Sequence, residues 1–369
     1  MADISLADIK KLRDMTSAGM MDCKKALTEA EGDFKRAVEI LREKGKSTLA
    51  KRGDNETTQG AVLSRVKGGK AILVCLGCET DFVAATPDFK ALAASIADAA
   101  IAEFPADLAA LKAVKTNTGY TLDEDITNQA GKTGEKHVLA YYAALEAPFV
   151  TEYVHFNGKL GAIVAFNKEV PASIARGIAM QVASMNPVAV DEASVPAEVL
   201  ESEKTVAIQK TKDEQVQKAV DAALKKAGIN PAHVDSEDHI ESNTAKGWLT
   251  PEQAAQAREI IATVGAEKAA NLPAQMIENI AKGRIAKFLK ENTLLEQEYQ
   301  LSDNKETVKA ALAAADPEAK VLAFRRFSLA DSARLTLYAK ETGPPGQSLL
   351  VLCRLRLIAL QSVSPLRPC

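Results

Sequence analysis

A Cys-x-x-Cys pair, Cys75 and Cys78, is the first candidate for chemistry in this sequence of 369 residues. That spacing can bind zinc or exchange disulfides. The pair overlaps residues 71–76, a run typical of a β-strand, and residues three apart on a strand point to opposite faces. The sequence contains no second cysteine pair at the spacing of a zinc site and no thioredoxin-like context. We therefore favour a structural role for both thiols.

A short polar stretch later in the chain supplies a second set of possible metal ligands. Its members are His233, Asp235, Glu237, Asp238 and His239. Such side chains can bind calcium or a transition metal. Their spacing matches no recognised ligand pattern, so a solvated acidic loop is the favoured interpretation.

No motif in the sequence supports a hydrolase active site or a nucleotide-binding site. His137 and His155 have no Ser or Cys nearby in a nucleophile motif. Gly68-Gly69 predicts a turn rather than a phosphate loop, because no Gly-Lys-Ser/Thr follows it. We expect no catalytic residue, no cofactor and no bound metal in this chain.

Bulk composition narrows the class of protein. The chain is 47% hydrophobic and long enough for more than one domain. Its formal net charge of -3 argues against direct contact with nucleic acid. Five cysteines, an odd number, favour a reducing compartment.

The sequence enters an amphipathic helix without an apolar signal core, and no run reaches the roughly 20 apolar residues of a membrane span. We expect a soluble, cytoplasmic protein.

A strand-to-helix turn carries the most informative residues. Residues 79–84 read Glu-Thr-Asp-Phe-Val-Ala, and a helix is predicted to begin at Pro87. The pattern places a carboxylate, Asp81, and an aromatic ring, Phe82, in a turn of the kind that rigid scaffolds present to partners. The alternative is that Phe82 is a lid over the core beneath its own helix.

The N-terminal residues 1–45 predict three short helices. Ser5 and Asp8 form a capping box, Gly19 separates the first two helices, and Gly45 is expected to end the third. Three helices of this size form a compact module of the ubiquitin-associated (UBA) type. The polar residues 46–58 predict a linker.

A β-hairpin followed by a helix occurs twice in the middle of the chain. The first hairpin turns at Gly68-Gly69 and the second at Asn157-Gly158, two sequences that suit type I′ turns. Third strands are expected near residues 135–145 and 319–329. The prediction is an α+β fold with two subdomains, each a small antiparallel sheet covered by a helix. Their predicted bounds are 59–148 for the first, and 149–193 with 293–331 for the second.

Two further regions complete the predicted organisation. Residues 194–292 are charged and helix-forming with a polar interruption at 228–247, which predicts an inserted helical hairpin, a coiled-coil arm suited to protein association. Residues 332–369 change in character and carry five basic residues against one acid. For this tail we favour a frameshift, read-through or fusion product over a functional extension.

Two segments of the sequence together resemble the translation elongation factor Ts family. They are residues 12–33, which begin Leu-Arg-Asp-Met-Thr-Ser-Ala-Gly-Met-Met-Asp-Cys, and residues 79–84. The resemblance extends over about residues 2–329. It implies a guanine-nucleotide exchange factor that binds elongation factor Tu, in its GDP-bound and nucleotide-free states, and makes or breaks no covalent bond.

The resemblance also implies which residues meet the partner. In this family the N-terminal module packs on the G domain of elongation factor Tu, and the turn inserts near the partner's Mg²⁺ site with Phe82 as the wedge. Leu160 and Gln181 correspond to positions near the interface. The residues implicated are Leu12, Arg13, Met20, Met21, Thr80, Asp81, Phe82, Val83, Leu160 and Gln181.

Two other functional classes remain open at this stage. The chain could be a non-catalytic helical binding scaffold that forms a homodimer through the inserted arm. A metal or redox protein would depend on the Cys75 and Cys78 pair and on residues 233–239. Kinetics of GDP release would separate the exchange factor from both, and metal analysis would identify the last.

Overall fold

The computed structural model describes residues 4–16 and 18–331. Within these ranges the chain forms an α+β fold, as predicted. The helices are α1 (Leu6–Thr16), α2 (Met20–Glu29), α3 (Phe34–Lys51), α4 (Asp81–Ala85), α5 (Pro87–Glu103), α6 (Leu108–Ala113), α7 (Leu122–Thr133), α8 (Ala172–Met185), α9 (Ala197–Lys226), α10 (Glu237–Ala245), α11 (Pro251–Ala270), α12 (Ala274–Asn292) and α13 (Val308–Ala315). The strands are β1 (Gln59–Lys67), β2 (Lys70–Cys78), β3 (His137–Glu146), β4 (Phe149–Val154), β5 (Leu160–Phe166) and β6 (Val321–Ser328).

The described chain divides into two compact units. One contains residues 4–194 and 292–331, and the other is Val195–Glu291. The finer division predicted from sequence stays a prediction, and its last segment, the tail at 332–369, lies outside the described residues.

The N-terminal module consists of α1, α2 and α3 around a small apolar core, consistent with the UBA type. The predicted capping box is present: the Asp8 N–H donates to Ser5 Oγ at 3.2 Å, and the Ser5 N–H donates to Asp8 Oδ2 at 3.2 Å. Asp33 caps α3 by accepting from the N–H groups of Lys35 and Arg36.

The predicted end of the third helix at Gly45 is wrong. Helix α3 continues to Lys51, so the first residues of the predicted linker are helical. Gly45 instead allows α3 to cross α7 closely, because a Cβ at this position would lie 2.2 Å from the carbonyl oxygen of Thr127. Gly131 on α7 is less tightly packed but also close, since a Cβ at this position would lie 3.1 Å from the Gly45 Cα.

The six strands form two antiparallel sheets in the orders β1-β2-β3 and β4-β5-β6. Both hairpins and both third strands are therefore confirmed, with β3 and β6 within two residues of the predicted bounds. Gly68 and Gly158 have φ of 60° and 64°, but Gly69 and Asn157 do not have positive φ. The predicted type I′ geometry, which needs a positive φ at both central residues, is therefore wrong for both turns.

The two sheets face each other, which the sequence analysis did not foresee. Strand β2 is buried on both faces: Ile72 and Val74 pack toward α5, whereas Leu73 and Cys75 pack toward the second sheet. The unbroken apolar run of β2 is typical of such a strand. Gly161 on β5 permits the close approach, because a Cβ there would lie 2.9 Å from Leu73 Cδ1.

The second unit, Val195–Glu291, has its own apolar core between α9, α10 and α11. This core includes Val220, Leu224, Ile240 and Ala257. The expectation that residues 228–247 form a polar interruption is only partly correct, because α10 lies within them and Ser236 caps it. No helix in the described ranges is long and apolar enough to cross a membrane.

Candidate functional site

The turn that carries Phe82 is a short helix fixed at both ends. Thr80 begins α4, and its Oγ1 accepts a hydrogen bond from the Val83 N–H at 3.4 Å. Thr86 closes α4 by donating from its Oγ1 to the Val83 carbonyl at 2.8 Å. The same hydroxyl accepts from the Phe89 N–H at 3.3 Å and so begins α5. The backbone that presents Phe82 therefore has little conformational freedom.

Phe82 itself is 83% exposed, so the alternative that it is a lid over its own core is wrong. Its neighbour Asp81 is also exposed. Val83 points the other way and packs, half-buried, on the core that contains Phe89. Burying a side chain of this size contributes about 1.5–3 kcal/mol, so a fixed, exposed Phe82 is available as an anchor for another molecule.

Two glutamates lie behind this turn. Glu135 accepts two hydrogen bonds from Thr80, one from Oγ1 at 2.6 Å and one from the N–H at 3.1 Å. Glu79 accepts from Arg52, from Asn55 and from the Lys136 N–H. Partial burial tends to raise the pKa of Glu79, but these donors outweigh it and hold the pKa below 4.5.

Sequence reasoning did not select either glutamate as a site residue. Glu79 stood inside the quoted motif, but nothing local identified its hydrogen-bond donors. Glu135 lies 55 residues from Thr80 along the chain, and only the pairing of β2 with β3 brings the two together.

The predicted contact residues of the N-terminal module differ in accessibility. Met21 is 66% exposed and Arg13 is exposed as well, so both can meet a partner. Met20 is half-buried against the module core. Leu12 is fully buried in that core, so its side chain supports the surface from beneath.

Leu160 and Gln181 both lie in the second subdomain, and the side chain of Gln181 makes hydrogen bonds within the chain. Its Nε2 donates to Gln297 Oε1 at 3.2 Å, and its Oε1 accepts from the Gln300 N–H at 3.1 Å. Leu160 is half-buried at the start of β5. In this structure Gln181 therefore holds the segment around Gln297 against α8, and its predicted contact with a partner stays a prediction.

An exposed aromatic residue that the sequence analysis missed lies at the tip of the second hairpin. Phe156 is 93% exposed, and the ring of His155 lies 4.4 Å from its ring. His155 Nδ1 is in turn 2.9 Å from the Tyr153 hydroxyl. The available signal was an aromatic residue directly before the Asn157-Gly158 turn, where a polar residue is usual.

The hairpin tip and the Phe82 turn lie at the same end of the first sheet. Lys159 Nζ donates to Gln59 Oε1 at 2.5 Å, and Gln59 is paired with Cys78, two residues before Thr80. The structure thus places the tip at Phe156 and, through Glu79, the segment that follows α3 at the end of the sheet from which the Phe82 turn begins.

The candidate metal and redox residues have other roles. Cys75 faces the second sheet and Cys78 faces α5, which confirms that they point to opposite sides of β2. Burial raises the pKa of both thiols, that of Cys78 to about 12, so neither is a ready thiolate. His239 pairs with Asp235. Among the residues that the structure describes, no group of three or more His, Cys, Asp or Glu could hold a metal ion.

Comparisons with known proteins agree over most of the chain. A family model described as elongation factor TS matches residues 79–331. Elongation factor Ts of Bacteroides thetaiotaomicron is 55% identical over 327 residues, which are 88% of this chain and 98% of that protein. The corresponding protein of Bacteroides fragilis is 56% identical over 327 residues, again 88% of this chain and 98% of that protein. That of Porphyromonas gingivalis is 35% identical over 326 residues, with 88% and 98% covered.

Proposed function

The chain belongs to the elongation factor Ts family, and we propose that it is the guanine-nucleotide exchange factor of elongation factor Tu. It would act in the cytoplasm during translation elongation, without cofactor, nucleic acid or membrane. One observation assigns the proposed activity to particular residues: Phe82 is exposed and lies on a turn that is fixed at both ends.

Exchange begins, in this proposal, with docking of the N-terminal module on the partner's G domain. Arg13 and Met21 supply exposed contacts, and Met20 and Leu12 hold the surface that presents them. Methionine suits such a surface because its flexible, polarizable side chain adapts to the partner. This contact supplies affinity without touching the nucleotide site.

Phe82 then enters between helices of the partner near its Mg²⁺ site. Asp81 lies in the first turn of α4, where a carboxylate favours the helix start, and Thr80 and Val83 fix the backbone. A bound cation is often the largest local charge in such a site, and Mg²⁺ there neutralises the phosphates of GDP. Repacking the helices that hold it therefore speeds GDP release.

Thermodynamic linkage sets a limit on this mechanism. A factor that weakens the binding of GDP must itself be bound more weakly by the GDP-loaded partner, to the same extent. The factor therefore binds nucleotide-free elongation factor Tu most tightly, and fresh nucleotide displaces it. The hairpin tip with Phe156, together with Leu160 at the start of β5, would extend the contact at the same end of the sheet.

The alternative function is a binding or dimerisation scaffold that uses the unit Val195–Glu291. The observation in its favour is that this unit has its own core and a Trp248 that is 62% exposed. A homodimer formed through this unit is compatible with exchange activity, so the alternative applies only if exchange is absent.

Stopped-flow release of a fluorescent GDP from elongation factor Tu tests the proposed function. With increasing concentrations of the chain, the release rate should rise and saturate, and excess unlabelled GDP should prevent rebinding of the probe. A chain that binds elongation factor Tu without accelerating release would be a scaffold. A chain that neither binds elongation factor Tu nor accelerates GDP release would contradict the proposal that elongation factor Tu is its partner.

A further inference from the structure

We propose that Glu135 is a positioning residue for the Phe82 turn, and that Glu79 ties the same turn to the segment following the N-terminal module. Together they form what we call the carboxylate clamp, Glu79 and Glu135. This inference rests on the proposed function, since it assigns residues that make Phe82 an effective wedge.

Thr80 has almost no hydrogen-bonding capacity left for a partner. Its hydroxyl donates to Glu135 at 2.6 Å and accepts from the Val83 N–H at 3.4 Å. Its own N–H donates to Glu135 at 3.1 Å, and its carbonyl accepts from the Ala84 N–H at 3.2 Å. The presence of Thr80 in the motif is thus explained by an internal role, and its predicted contact with a partner is not needed.

A carboxylate is the side chain that suits position 135. Thr80 presents two donors, and each oxygen of Glu135 accepts one of them. A glutamine would offer a single acceptor and turn an NH₂ group toward a donor. Hydrogen bonds to an ionised acceptor are also about twice as strong as those between neutral groups.

Glu79 joins two segments that are distant in sequence. One oxygen accepts from Arg52 Nη1 and Asn55 Nδ2, both at 2.7 Å, and the other accepts from the Lys136 N–H at 2.5 Å. Lys136 Nζ adds a bond to the Gly53 carbonyl at 2.7 Å. The segment after α3 is therefore tied to the residue that directly precedes Thr80.

The clamp completes a rigid path from the docking surface to the wedge. Helix α3 of the N-terminal module ends immediately before Arg52 and crosses α7 closely at Gly45. Helix α7 ends at Thr133, shortly before Glu135. Docking of the module on a partner thus fixes where Phe82 arrives, and loosening the clamp should affect the insertion of Phe82 more than docking.

Thr80→Val and Glu135→Gln test this inference, with Thr80→Ser as the conservative variant. The matched control is Thr250→Val, because Thr250 caps α11 in the other unit with a similar geometry. Its Oγ1 accepts from the Gln253 N–H at 3.1 Å, and its own N–H donates to Gln253 Oε1 at 3.0 Å. For the wild type and each variant, the rate of fluorescent GDP release is measured at increasing concentrations of the exchange factor. This titration separates the limiting rate from the half-saturating concentration.

Thr80→Val and Glu135→Gln should lower the limiting rate about tenfold or more, since misplacement by ~1 Å can cost about a hundredfold. The half-saturating concentration should change far less, and Thr80→Ser should recover most of the rate. Thr250→Val should lose comparable thermal stability, because it removes a similar helix cap, and should retain the limiting rate. Amide hydrogen exchange at Val83 should accelerate in Thr80→Val and Glu135→Gln but not in Thr250→Val.

Two results would overturn the inference, and they are distinguishable from failure of the proposed function. Suppose that Thr80→Val and Glu135→Gln keep the limiting rate while Phe82→Ala loses it. The proposed exchange activity then stands, and the positioning role of Glu135 is wrong. If hydrogen exchange at Val83 is unchanged in both variants, the clamp does not hold the turn, whether or not the wild-type chain accelerates GDP release.

Discussion

Exposure separates the residues that can meet a partner from those that support them. Phe82 and Met21 are exposed, whereas Leu12 and Gln181 lie inside the fold, although all four were chosen by the same resemblance. A motif match identifies positions but says nothing about which side chain faces solvent. For Leu12 the helical spacing from Ile9 already placed it on the apolar face of α1, so its burial was predictable from the pattern.

His137 gives a prediction for stability against pH. It is buried beside Phe89, and its Nδ1 is 3.0 Å from the Glu135 carbonyl. Burial lowers its pKa below 6.5, even though the charges of Glu135 and Glu79 act in the opposite direction. As the pH falls below 6.5, the unfolded chain binds a proton that the folded chain does not, so stability should fall.

Urea unfolding of the wild type and of His137→Gln at pH 7.5 and pH 5.5 measures this effect. The wild type should lose more of its free energy of unfolding between these pH values than the variant does. Equal losses would show that His137 contributes nothing to the pH dependence.

The elements around the candidate site follow from local signals, whereas their packing does not. Gly-Gly and Asn-Gly between apolar runs fix the hairpins within a few residues, and Pro87 marks the start of α5. The facing of the two sheets, the crossing of α3 and α7 and the bond from Thr80 to Glu135 all join residues far apart in sequence. Gly45 illustrates the limit, because a glycine that ends a helix and one that allows a close crossing look the same in sequence.

Two helical glycines should respond in opposite directions to alanine. At Gly45 a Cβ would lie 2.2 Å from the Thr127 carbonyl oxygen, so Gly45→Ala should destabilise by about 1–3 kcal/mol through overpacking. At Gly283 on α12 nothing lies within 4 Å, so Gly283→Ala should stabilise by roughly 0.5–1 kcal/mol. Thermal melting of both variants checks the signs, and a neutral Gly45→Ala would contradict the close crossing.

At the scale of the whole molecule, the unit Val195–Glu291 is separable from the elements that carry the candidate site. Its apolar core lies between residues 216 and 264, and the residues proposed to meet elongation factor Tu all belong to the other unit. Sequence patterns identified this region as helical but not its short α10 or its own core. The core depends on contacts between α9 and α11 that no local pattern specifies.

Replacing residues 212–271 with a short turn should therefore leave exchange within a few-fold of the wild type. The deletion removes that core as a whole and keeps Val199 and Ala207 of α9 and Ile277 and Ala281 of α12. Stimulated GDP release and analytical ultracentrifugation report the two expected effects, which are retained exchange and weaker self-association. Loss of exchange in a folded variant would show that this unit takes part in the reaction with elongation factor Tu.

The central claim, that Phe82 acts as a wedge, is tested most directly by Phe82→Ala, with Trp248→Ala as a control at an exposed aromatic residue in the other unit. Melting temperature and stimulated GDP release are measured on the same preparations. Both variants should fold with stability within about 0.5 kcal/mol of the wild type, because both side chains are exposed. Stimulated release should fall about tenfold or more in Phe82→Ala alone, as expected of a dominant contact. Destabilisation of Phe82→Ala by about 3–5 kcal/mol, the cost of emptying a core, or a stable variant with undiminished exchange, would contradict the wedge.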